Sequence, residues 1–213
     1  MTLGEYSLLA VTSIFVIVDP IAAVPAFIAM TPNDAAPAKL RMARLACWVA
    51  AGVLMLFAAT GKMIFNVMGI TLPAFQLAGS ILLLRIALDM LYARRSPAQE
   101  TDEEVAAGAA KEDIAITPLG VPMLAGPGAI STVMVLVGQT AGLWRWEMGA
   151  ILGSIALTSL ASYWVLAGAG RVLKVLGETG IRVLVRVMGL LLVALAMQYF
   201  VNGLTDLGLI ARP

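Results

Sequence analysis

Asp19 stands directly before Pro20, and Pro25 follows five residues after that proline, all within one apolar run. Proline removes a main-chain donor and clashes with the turn before it, so two of them this close interrupt a helix. Aspartate is a favoured N-cap and proline a favoured first helical residue, so the pair predicts a half-helix restarting at Pro20 beneath an Asp19 cap. A second stretch, Thr117-Pro118-Leu119-Gly120-Val121-Pro122-Met123-Leu124-Ala125-Gly126-Pro127-Gly128, packs three prolines and three glycines into twelve residues. It predicts open chain around 125–127 and a half-helix restarting near Pro127, with Gly126 at or near its cap. Unbonded amides at a helix start suit an anion. A carboxylate such as Asp19 suits an ammonium group, Na⁺ or H⁺. Gly126, Gly128 and Ala129 are therefore the expected donors to a ligand carboxylate, with Pro122, Pro127, Ser131 and Thr132 lining the same break. The plainer alternative is a pair of proline kinks that only shape the bundle.

Other polar residues fall inside apolar runs. Gln76 and Ser80 share one helix face, as do Gln198 and Asn202. Interhelical hydrogen bonding is the expected role for these four, and Gln76 is also a candidate cavity residue. Arg85 and Asp89 are four apart, a spacing that predicts a local ion pair with a snorkelling arginine. Ala150, Ser154, Thr158 and Ser162 recur at spacing four beside Gly149 and Gly153, which predicts a close-packing face. The chain has no histidine and one cysteine, Cys47. That excludes an intrachain disulfide and a cysteine-based metal site. No carboxylate cluster stands ready for acid–base work either, so no enzyme and no cofactor are expected.

These residues sit in a chain made for lipid. Of 213 residues, 61% are hydrophobic and 13% charged; mean hydropathy is +0.94. Soluble domains carry about 25% charged residues. Six apolar tracts run over roughly 6–30, 43–65, 72–92, 115–138, 146–170 and 181–203, each about the length a helix needs to cross the hydrocarbon core. The first lacks a basic flank, so it is expected to span rather than to act as a secretory signal. With the N-terminus outside, the inner loops hold Lys39, Arg41, Arg44, Arg94, Arg95, Lys111, Arg171, Lys174, Arg182 and Arg186, against Lys62, Arg145 and Arg212 outside. Ten against three predicts an inner-membrane protein with both termini periplasmic or extracellular. A formal net charge of +1 leaves no footprint for nucleic acid.

An acidic stretch over 96–114 reads as a cytoplasmic linker between halves 1–95 and 115–213. The halves echo one another. Pro20 and Pro25 match Pro122 and Pro127; Gly61-Lys62 matches Gly170-Arg171; Met68-Gly69-Ile70-Thr71 matches Leu176-Gly177-Glu178-Thr179; and Gln76-Leu77-Ala78-Gly79 matches Arg186-Val187-Met188-Gly189. Three spans per half force the second half to enter the membrane from the opposite side. The expected fold is thus an all-α membrane protein of six transmembrane helices in two inverted three-helix repeats, with tracts one and four broken near the midplane.

The segments Asp19-Pro20-Ile21 through Phe27 and Pro118 through Leu124-Ala125-Gly126-Pro127-Gly128-Ala129-Ile130 resemble the signature segments of the MarC family of inner-membrane proteins. The resemblance spans essentially the whole chain. One departure is Ala22, where the family often has glycine. The resemblance implies kinship with LysE-like exporters and, from some members, a carrier of small neutral amino acids. The expectation is a secondary transporter that works by alternating access, rocking one repeat against the other, with Na⁺ or H⁺ as candidate coupling ion. Its partners would be the bilayer, a small-molecule substrate and a second copy of itself. An ion channel or ion-selective carrier is the alternative.

Overall fold

The computed structural model describes residues 2–31, 34–92, 115–140 and 146–210. The expected linker 96–114 lies outside the described residues. Among these there are eight helical elements and no strands: α1 Leu3–Val18, α2 Ala23–Met30, α3 Ala36–Met68, α4 Leu72–Leu91, α5 Ala115–Leu124, α6 Pro127–Gln139, α7 Trp146–Ala167 and α8 Ala169–Asp206. Four stretches are long and apolar enough to cross a membrane: Ala36–Gly61, Leu72–Leu91, Trp146–Ala167 and Thr179–Asp206. The pair α5–α6, bent by 55°, counts together as a fifth. With 16 residues, α1 is short of the approximately 20 a span needs. A sixth span requires α1 and α2 to act together.

Helix α6 is the centre of the molecule. Gly128, Ala129 and every residue from Ser131 to Val137 are buried, as befits a helix that is apolar all round. It packs on α1, α3, α4 and α7. Helix α4 lies along α8, and α3 along α7 and α5. Helices of the first half thus pack mainly on those of the second.

Glycine sets the closest approach. A Cβ on Gly189 would lie 2.9 Å from Met90 Cβ and 3.1 Å from the Ala87 carbonyl oxygen, and one on Gly203 would lie 3.1 Å from the Pro73 oxygen. Small residues here let the α4 and α8 backbones touch. By contrast, Gly149 and Gly153 have nothing within 4 Å of a built Cβ. They do not belong to a close-packing face. Their neighbours Ser154, Thr158 and Ser162 do, each 2% exposed or less.

Candidate functional site in the paired helix breaks

The first break differs from expectation. Asp19 does not cap a helix starting at Pro20. It ends α1 in the left-handed region, at φ 41° and ψ 66°, and its N–H donates to the Phe15 oxygen at 3.0 Å. A residue preceding proline is pushed out of the helical region, and aspartate tolerates the left-handed one better than most. The chain turns through Pro20, Ile21 and Ala22 before α2 begins at Ala23. Within this turn Asp19 Oδ1 accepts the Ala22 N–H at 3.2 Å. Ala22, where relatives were expected to carry glycine, is helical at φ −63°, a conformation any residue adopts.

The second break follows the sequence closely. In α5 the chain is extended at Thr117 (φ −134°, ψ 126°) and Val121 (φ −138°, ψ 124°). Each precedes a proline and takes the conformation that proline imposes. The Val121–Pro122 peptide is cis. The Ala125 N–H donates to the Gly120 oxygen at 2.9 Å, a wide turn. Gly126 then caps α6 with φ −78° and ψ 172° and no side-chain hydrogen bond. The Ile130 N–H closes the first turn on the Gly126 oxygen at 3.0 Å. Pro127 has no N–H to satisfy, and the next amides, those of Gly128 and Ala129, belong to the first turn, where the helix itself offers no acceptor.

The breaks lie at the same end of one helix pair. Helix α1 runs antiparallel to α6: the Tyr6 hydroxyl donates to the Leu136 oxygen at 3.1 Å near one end. Near the other, a Cβ on Gly128 would lie 2.9 Å from Ile17 Cδ1. Asp19 and Gly126, each two residues beyond this contact, therefore lie at the same end of the α1–α6 pair.

Three buried oxygens among the candidates lack a hydrogen-bond partner: Asp19 Oδ2, Gln76 Oε1 and Thr132 Oγ1. Their residues are 5%, 1% and 0% exposed. In a bilayer-embedded core an unpaired polar atom is costly, so each calls for an explanation. Pro20, Pro122, Gly126, Ala129 and Ser131 are buried or half-buried, while Pro25 and Pro127 are exposed. Gly128 turns its Cα toward Ile17, Leu83 and Ile86. Its hydrogens meet apolar side chains rather than a cavity.

Gln76 lies apart from the breaks. With Gln139, Gln198, Val201, Asn202, Thr205 and Asp206 it lines a polar cavity of about 390 Å³. The Gln198 Nε2 donates to Asn202 Oδ1 at 2.8 Å, a bond within α8 rather than between helices. The Ser80 hydroxyl donates to the Leu77 oxygen of its own helix at 2.7 Å. Arg85 is exposed, whereas Asp89 is half-buried and turns Oδ2 inward without a partner. The two form no ion pair. Tyr199, whose buried hydroxyl also lacks a hydrogen-bond partner, escapes sequence reasoning. Its signal was a single phenol in an apolar run, next to Gln198.

Apolar helices around a broken, polar-lined centre define an integral, multi-pass membrane protein. The chain belongs to the MarC family of integral membrane proteins, which it matches over residues 5–207. It is 38% identical over 200 residues to a UPF0056 membrane protein of Methanocaldococcus jannaschii, covering 94% of this chain and 96% of that one. It is 32% identical over 194 residues to the UPF0056 membrane protein YhcE of Escherichia coli, covering 90% and 88%. It is also 33% identical over 193 residues to a UPF0056 membrane protein of Pyrococcus horikoshii, covering 91% of each chain. Relatives thus occur in both bacteria and archaea. No solved structure matches the chain.

Proposed function

We propose that this protein is a secondary transporter of a small zwitterion, a small neutral amino acid, which it moves unchanged across the inner membrane by alternating access. One observation carries the reading: Asp19, with a buried and unpartnered Oδ2, and the start of α6, with no side-chain cap, lie at the same end of one packed helix pair. Asp19 then serves as the acceptor for ammonium, Na⁺ or H⁺, and the first amides of α6 as the donor set for carboxylate. Thr132 and Ser131 add hydroxyls on α6, and the cavity at Gln76 serves as the approach.

Six spans in two inverted repeats, with both termini outside, complete this reading. Packing supports it: α1 lies on α7 as its counterpart α5 lies on α3, and α6 lies on α1 and α4 as its counterpart α2 lies on α5 and α8. The matched glycines Gly69 and Gly177 both have positive φ, 66° and 63°. Because the halves interleave, the moving parts are the broken elements α1–α2 and α5–α6, within a frame of α3, α4, α7 and α8.

The test is flux in proteoliposomes of purified protein. Labelled small neutral amino acids should be carried, their decarboxylated amines should not, and a Na⁺ or proton gradient should drive accumulation. Cation currents without amino-acid flux would replace the reading with that of a channel.

A further inference from the structure

We propose that the groove between α3 and α7 is a binding site for one anionic phospholipid, its phosphate on Arg44 and an acyl chain along the helices. The groove, of about 370 Å³, is lined by Arg44, Trp48, Ala51 and Met55 of α3 and by Ala156 and Tyr163 of α7. It is separate from the helix breaks and from the polar cavity beside Gln76.

Its chemistry is graded along α3. Arg41, Arg44, Trp48, Ala51 and Met55 follow one another at spacings of three and four and so share one stripe of the helix. Both arginines are exposed and neither forms an ion pair with a described residue. Trp48, 71% exposed, comes next, where an indole anchors at the headgroup boundary. The rest of the stripe is small or flexible: Ala51 leaves the depression and Met55 closes it. From Arg44 to Met55 is eleven residues, about 16 Å of helix. That is the depth of one leaflet, half of the roughly 30 Å hydrocarbon core.

The occupant therefore needs an anionic head of phosphate type and a chain one leaflet long. Arginine holds phosphate by two parallel N–H donors, and basic pockets between membrane helices select anionic headgroups. A second copy of the chain would bring its own arginines to the same stripe, like charge against like.

The experiment is native mass spectrometry of the full chain, released from detergent with phosphatidylglycerol or with phosphatidylcholine of the same acyl chains. One phosphatidylglycerol should be retained per chain, in clear preference. Arg44→Gln should weaken phosphatidylglycerol retention about fivefold, and Arg41→Gln with Arg44→Gln about 25-fold, with phosphatidylcholine unaffected. Ala156→Trp, at an exposed position that fills the groove without touching the core, should abolish retention of both lipids. Equal retention of the two headgroups, or unchanged retention in Ala156→Trp, would overturn the site. So would a lipid-independent dimer that Ala156→Trp dissociates, which would assign the groove to a second copy.

Discussion

The two breaks solve the same problem with different chemistry. In the first, a side chain does the work: Asp19 takes the left-handed conformation itself and ties one oxygen to the Ala22 N–H. In the second, no side chain caps anything. Prolines set the extended residues Thr117 and Val121, and Gly126 leaves the start of α6 bare. One break therefore presents an acceptor with a spare oxygen, the other a set of donors. A tool that works by side chain can be edited one atom at a time, whereas one made from main chain cannot.

Substitutions should expose that asymmetry. The largest effect belongs to Gly126→Ala, because its Cβ would sit 2.6 Å from the Pro122 carbonyl oxygen. Main chain cannot swing away as a side chain does, so we expect a loss of about 3 kcal/mol or more. A sharply lowered unfolding temperature in detergent, or absence from the membrane fraction, would show it. Gly128→Ala should be milder, about 1–3 kcal/mol, since its Cβ meets the ends of Ile17, Leu83 and Ile86 side chains at 2.9–3.2 Å. Equal losses at the two glycines would mean that the second break is more pliable than its geometry implies. Neither variant isolates carboxylate binding from folding.

The first break should behave in the opposite way. Asp19→Asn keeps the oxygen that receives the Ala22 N–H and removes the charge. Its unfolding temperature should stay near that of the parent, while flux in proteoliposomes falls about 10- to 100-fold, the worth of a hydrogen bond to a charged group. Wild-type flux would reduce Asp19 to a turn-former. The smallest effect is expected at Thr132→Val, which removes a fully buried hydroxyl lacking a partner. Stability should hold or rise by up to about 1 kcal/mol. A several-fold loss of flux at unchanged stability would assign the hydroxyl to the substrate, and unchanged flux would assign it to packing.

Much of this architecture was legible in the residues because proline and glycine act locally. Gly126-Pro127 marked the start of α6 closely, since a cap and a first-turn proline depend on nothing distant. Asp19-Pro20 marked a break but not its form. Whether an aspartate caps the helix ahead or ends the one behind depends on where the chain goes after Ala22, which packing against α5, α7 and α8 decides. The same limit explains Gln198 and Asn202. Their spacing showed a shared face, yet the choice between a partner across the bundle and one a turn away is tertiary. Arg85 and Asp89 had the right spacing for a pair, but one side chain extends to the surface and the other turns inward.

The interleaving of the two halves bears on how the molecule is made. Helices α1, α3 and α4 leave the ribosome first, yet their principal partners, α6, α7 and α8, belong to the part synthesised last. Until α6 emerges, the slot it will fill has no occupant. The early helices must therefore wait in the bilayer as loosely associated rods, with Asp19 and Gln76 facing lipid or the translocon. Assembly is governed by the second half, and a chain truncated before Pro127 has no core to collapse upon.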